Sequence, residues 1–219
     1  MPGLSKRVAV EFIGTALLLT AIVGSGIMGD RLSSGNVAVA LLANSIATGA
    51  ALVALIFAFG GISGAHFNPV VTLSNATRNA FAWREAPAYI AAQVTGAFCG
   101  VALANGMFGL PLAFASQHVR TGWEMWIAEA VATFGLLAVI AGCVRFRPAG
   151  TPFAIGGYVT AAYWFVPSTS FANPAVTLAR SITDTFSGIR PVDVPAFLAA
   201  QLAGAALATI FFRWIQHEE

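Results

Sequence analysis

The chain has 219 residues, of which 58% are hydrophobic and only 9% charged, with a formal net charge of +2 and a mean hydropathy of +0.78. A soluble domain carries about a quarter charged residues, so a soluble protein with a large core is excluded. A net charge this small also argues against nucleic acid as a partner.

Residues 32–77, 148–179 and 194–212 contain no Asp, Glu, Lys or Arg. A helix that crosses a bilayer takes about 20 mostly apolar residues. The apolar runs predict spans over 7–28, 37–59, 86–108, 123–144, 152–166 and 194–215, in an all-α polytopic membrane protein. The first run follows Lys6 and Arg7, as a secretory leader would. It is too long for a leader core and it contains Glu11, so it reads as the first span. Cys99 and Cys143 fall inside apolar runs and read as small core residues. The sequence calls for no disulfide framework, no metal and no cofactor.

Two segments fit neither a span nor an aqueous loop. Gly60 to Pro69 lies between spans two and three, and Pro167 to Pro174 lies between spans five and six. Each is too broken to cross and too apolar for water, so each is expected to dip into the membrane and return. Irregular backbone at that depth is tolerated only where protein buries it or where it lines a wet cavity.

The segments belong to a duplication. Residues 68–73 read Asn-Pro-Val-Val-Thr-Leu and residues 173–178 read Asn-Pro-Ala-Val-Thr-Leu. Glu11 and Thr15 match Glu129 and Thr133, and Gln93 and Gly96 match Gln201 and Gly204. The whole chain, 1–219, reads as one domain of two repeats, about 7–108 and about 123–215. Each repeat is span, span, re-entrant segment, span. Three spans per repeat is odd, so the second repeat is inverted and the two re-entrant segments enter from opposite faces. With the N-terminus inside, seven of the 11 Lys and Arg residues are cytoplasmic and four are not, which favours both termini in the cytoplasm.

Proline is tolerated at the first helical position, where its missing N–H is an orphan in any case. Asparagine is a favoured N-cap. Asn68-Pro69 and Asn173-Pro174 therefore each predict the start of a short helix. With the side-chain oxygen used in the cap, both amide N–H donors of each asparagine are expected to stay free. Two such ends meeting at mid-membrane offer converging donors and two positive half-dipole ends. A neutral polar solute accepts hydrogen bonds there, and the same field repels a cation or a proton.

Over nearly its full length the chain resembles the aquaporin/glycerol facilitator (major intrinsic protein) family. The resemblance rests on Gly64-Ala65-His66-Phe67-Asn68-Pro69, on Asn173-Pro174-Ala175, and on Glu11 and Glu129 at their spacing. It implies six transmembrane helices, two half-helices, a homotetramer with one pore per subunit, and a passive channel with no catalytic residues. Asn68 and Asn173 match the family's central asparagines. Val70 stands where most members have alanine, and it is expected to narrow or stiffen the junction slightly. Glu11, Glu129 and His66 match groups that brace the re-entrant loops.

The same resemblance assigns a filter of Thr48, Ser170 and Val176, with the fifth-span position at Ala161 or within two residues of it. The main departure is Val176, because that position is typically arginine in water-selective members and glycerol facilitators alike. Arg180 lies four residues on, about 6 Å along a helix, and is not expected simply to substitute. A filter this small and uncharged is expected to be wide and weakly polar. It resembles a bacterial subgroup associated with arsenic resistance, through the stretch from Ser168 to Arg180. That implies a place in the bacterial inner membrane and passage of water, glycerol and neutral trihydroxy species such as arsenous acid, with methylated arsenicals besides.

Three other readings compete. A water-selective aquaporin is the first. An ion-coupled transporter needs titratable groups along the path, and beyond Glu11 and Glu129 the spans carry almost none. An intramembrane serine protease is suggested by Gly61-Ile62-Ser63-Gly64, but it needs a histidine base within reach. His66 sits in the same loop, and His118 and His217 fall in a loop and the tail.

Overall fold

The computed structural model describes residues 2–216; His217 lies outside them. Eight α-helices follow one another: α1 (Leu4–Leu32), α2 (Val37–Ser63), α3 (Pro69–Thr77), α4 (Ala86–Met107), α5 (Trp123–Phe146), α6 (Thr151–Phe165), α7 (Pro174–Arg180) and α8 (Val194–Gln216). Five of them, counting the short 3-10 turns that lead into α4 and α8, are long and apolar enough to cross a membrane. α6 has 15 residues and is extended at its start by the 3-10 turn Pro148–Gly150. The two short helices, α3 and α7, begin at the two Asn-Pro pairs.

Packing repeats between the halves. α1 lies against α2 and α4, and α5 lies against α6 and α8. α3 touches α4 and α8, α7 touches α8 and α4, and the halves meet where α2 crosses α6 and α3 meets α7. Missing side chains allow the close crossings. A methyl group on Gly96 would collide with the Phe12 carbonyl, and one on Gly204 with the Ala130 carbonyl. Gly49 and Gly156 approach each other's backbone in the same way across α2 and α6. Small residues at such crossings let helices gain van der Waals contact where lipid offers no hydrophobic drive for association.

Large apolar side chains, among them Leu32, Ile46, Phe153, Leu207 and Trp214, cover the outside. Polar residues are buried instead: Glu11, Gln93, Glu129 and Gln201 have no exposed surface. This inside-out distribution is what a bilayer solvent requires.

Candidate functional site

The re-entrant loops are held by carboxylates. Glu11 accepts from the backbone N–H groups of His66 (3.0 Å) and Phe67 (2.8 Å), from Ser63 Oγ (2.7 Å) and from Gln93 Nε2 (2.8 Å). Glu129 accepts from the N–H groups of Phe171 (2.9 Å) and Ala172 (2.9 Å) and from Gln201 Nε2 (2.7 Å). Each glutamine also reaches the threonine four residues after the asparagine: Gln93 to Thr72 Oγ1 (3.0 Å) and Gln201 to Thr177 Oγ1 (2.8 Å). Ala65 and Phe67 adopt left-handed φ values of 48° and 48°, and Ser170 and Ala172 adopt 52° and 46°. These are matching positions, three and one before each asparagine. Left-handed backbone is unfavourable for non-glycine residues, but alternating handedness turns successive N–H groups to one side, where an anion binds them. The carboxylate and the strained loop stabilise each other.

The start of each loop is also tied down, by different means. Tyr89 donates its hydroxyl to the Ser63 carbonyl (2.9 Å). At the matching place Arg120 donates to the Ser168 carbonyl (3.0 Å). His66 is braced on both ring nitrogens, by Thr72 Oγ1 (3.0 Å) and Asn75 Nδ2 (3.1 Å).

Asn68 and Asn173 cap α3 and α7. Asn68 Oδ1 accepts from Val70 N (3.1 Å), and Asn173 Oδ1 accepts from Ala175 N (3.0 Å) and Val176 N (3.3 Å). Their amide groups are not wholly free, contrary to expectation. Asn68 Nδ2 donates to the Ala172 carbonyl and Asn173 Nδ2 to the Phe67 carbonyl, both at 2.8 Å. Each asparagine thus fastens the other half's loop, and one of its two N–H donors remains for the cavity.

A cavity of about 500 Å³ is lined by both asparagines. It includes Arg7, Phe81 and Glu85 toward one end and Thr48, Tyr163, Ser170, Val176 and Arg180 toward the other. Arg7 and Glu85 are ion-paired at 2.9 Å. Leucine, isoleucine, valine, phenylalanine and alanine make up most of its walls, interspersed with polar residues that include Ser63, His66, Asn75 and Thr151. A largely apolar surface interrupted by polar stations is suited to passing small solutes without holding them.

Three of the four assigned filter residues, Thr48, Ser170 and Val176, line this cavity. Ala161 does not: it is exposed on the outside of α6. Tyr163, two residues on and within the range the sequence left open, lines the cavity instead, buried with its hydroxyl 3.2 Å from Thr48 Oγ1. A count of residues back from Asn173 sets the height of a position but not the helix rotation, and two residues turn a side chain by about 200°. Val70 is likewise corrected. It is fully buried beside Leu137, Ala205 and Ala208 and does not line the cavity, so it does not narrow the junction. Ala175 is buried in the core, and Pro69 and Pro174 occupy the first turns of α3 and α7.

The segment 108–122 lies across the Arg180 end. Phe114 N and Ser116 N donate to the carbonyls of Ile182 and Ser181, both at 3.0 Å. His118 in this segment is held below the ordinary imidazole range by burial and then by the positive charges of Arg120 and Arg180. Sequence reasoning did not place Arg120 at the site. The only signal for Arg120 was a lone cation in an otherwise weakly charged loop. Among the described residues no group of His, Cys, Asp and Glu is arranged to hold a metal ion.

The family described as "Major intrinsic protein" matches residues 2–166, ending before the second Asn-Pro pair. The aquaglyceroporin AqpS of Rhizobium meliloti is 53% identical over 212 residues, 97% of this chain and 91% of that protein. The aquaporin AqpM of Methanothermobacter marburgensis is 30% identical over the whole of both chains. Among solved structures, the aquaglyceroporin from Plasmodium falciparum shares the fold, with a TM-score of 0.75 at 22% identity over 97% of this chain and 95% of that one.

Proposed function

The chain belongs to the major intrinsic protein family of membrane channels, and on that premise we propose that it passes small neutral solutes, from water and glycerol to trihydroxy metalloid acids, through a filter without the family's usual arginine. It is a passive channel and not an enzyme. The observation that carries the reading is the make-up of the cavity at its filter: Val176 in place of a cation, and Thr48 and Ser170 as the small polar groups beside it. A water-strict filter has to be tight and rich in fixed donors. Here one wall is aliphatic, which leaves room for a carbon or metalloid backbone while the hydroxyls of the opposite wall meet the solute's own. Arsenous acid is uncharged at neutral pH and displays its hydroxyls much as a small polyol does, so shape and hydrogen bonding do not separate the two.

The proposal includes a homotetramer in the bacterial inner membrane with both termini cytoplasmic and the Arg7 end of the cavity facing inward. The excess of basic residues on that side supports the orientation. The apolar exterior supports burial in lipid and against neighbouring subunits.

The test is stopped-flow light scattering on proteoliposomes given a glycerol gradient, with sucrose as the impermeant control. Fast shrinkage followed by fast reswelling in glycerol supports a solute-conducting pore, and arsenous acid is tested next. A second reading, a water-selective pore, draws support from the bulk of Tyr163 in the lining. It is the outcome if shrinkage is fast and reswelling is no faster than in protein-free vesicles. Uptake that follows a pH gradient instead of the solute gradient would mark an ion-coupled transporter.

A further inference from the structure

Arg180 ends α7 and is buried, yet its guanidinium lies in the cavity lining. Four residues separate it from Val176, so the two side chains leave nearly the same face of the helix. Helical side chains lean toward the N-terminus. The Arg180 side chain accordingly reaches back along α7, and its guanidinium carbon sits 3.4 Å from the centroid of the Phe171 ring. Arg180 therefore lines the cavity although it lies four residues beyond Val176 in the chain.

The two cations at this end differ in what holds them. Arg120 is 4.9 Å from the same Phe171 ring. Its Nε donates to the Gly188 carbonyl (2.7 Å) and its Nη1 to the Ser168 carbonyl (3.0 Å), so it braces the loop. Arg180 donates through Nε to the Ser187 carbonyl. Among the described residues no other hydrogen bond and no carboxylate holds its guanidinium. Phe171 is itself fixed, by Glu129 at its backbone and by the Phe197 ring at 5.2 Å. A second group at this end is unsatisfied: Ser170 Oγ is buried, faces the same cavity and has no hydrogen-bond partner.

Resting on the channel reading above, we propose that Arg180 and Ser170 form a solute station one turn beyond Val176. Terminal N–H groups of Arg180 and the Ser170 hydroxyl bind the hydroxyl oxygens of passing polyols. The charge of Arg180, which no carboxylate contacts directly, excludes protons and metal cations. A buried cation in a low-dielectric conduit projects its field along the path, and a lone-pair oxygen is attracted by the same field. The cation that Val176 removes from the filter is thereby supplied from the next turn of the same helix.

The test uses the full-length protein in proteoliposomes. Proton entry is read by an entrapped pH dye under a potassium/valinomycin voltage clamp, and water and glycerol fluxes by stopped flow. Arg180→Gln is expected to raise the ratio of proton to glycerol conductance about tenfold or more. An unchanged ratio in a glycerol-conducting Arg180→Gln channel overturns the charge role. Should that variant fail to assemble, Ser170→Ala decides the matter, since it removes a hydroxyl that no protein group uses. It is expected to lower glycerol conductance about threefold relative to water conductance, the value of one modest hydrogen bond. An unchanged ratio there overturns the station. Wild-type vesicles that conduct no glycerol would instead bring down the channel reading beneath it.

Discussion

Thr48 and Tyr163 lie 115 residues apart and share a hydrogen bond of 3.2 Å between their hydroxyls, one from each half of the chain. The bond ties α2 to α6 and keeps the tyrosine ring in a set position at the cavity wall. Tyr163 lines the cavity at this level, while Ala161 faces outward. Tyr163→Val should admit larger polyols such as erythritol, raising their flux about threefold or more relative to water, as a discrimination of about a kilocalorie in an apolar pocket allows. Ala161→Leu should leave the solute cut-off where it is. Reswelling rates across a polyol series check both, and a cut-off that moves with Ala161 instead would reverse the assignment.

Val176→Arg adds a cation to the lining one turn nearer the asparagines than Arg180. It should cut glycerol conductance about tenfold and water conductance far less, because the larger solute loses the room beside the aliphatic wall and water does not. Equal losses for both solutes would point to a general block. The comparison is made at matched protein density in the same vesicles.

Glu11 and Glu129 test how much each loop depends on its carboxylate. Glutamine keeps the size but replaces one acceptor oxygen with a donor, which then faces N–H groups. Each Glu→Gln change should lower stability by about 2–3 kcal/mol through unsatisfied buried donors. Glu11→Gln should be the worse of the two, since Glu11 accepts four hydrogen bonds and Glu129 three. Thermal unfolding in detergent, followed by circular dichroism, ranks them. A larger loss for Glu129→Gln would show that the bond count is not what matters.

Mercurials should leave glycerol flux unaltered. Cys99 and Cys143 are free thiols, and neither lines the cavity. Ser170→Cys should create a block that thiol reductants reverse, because position 170 does line it. Inhibition of the wild-type channel, abolished by Cys99→Ala or Cys143→Ala, would place one of those thiols in the path.

Much of this protein was legible because a bilayer constrains its sequences so tightly. Charge-free runs marked the spans to within a few residues, since few polar groups survive there. The repeated Asn-Pro pairs located the half-helices, since capping and proline geometry are local properties of the chain. The repeated Glu and Gln positions signalled an inverted pair of halves. The tertiary structure decided the rest. Helix rotation put Tyr163 at the wall and turned Ala161 outward, and residue spacing carries no information on rotation. Reciprocal bonds from Asn68 to Ala172 and from Asn173 to Phe67 used donors that a cap viewed alone leaves free. Arg180 entered the cavity because its side chain folds back over Phe171, a contact set by the shape of the assembled loop. Local chemistry follows from neighbours in the chain, but what a side chain faces depends on which distant segments pack around it.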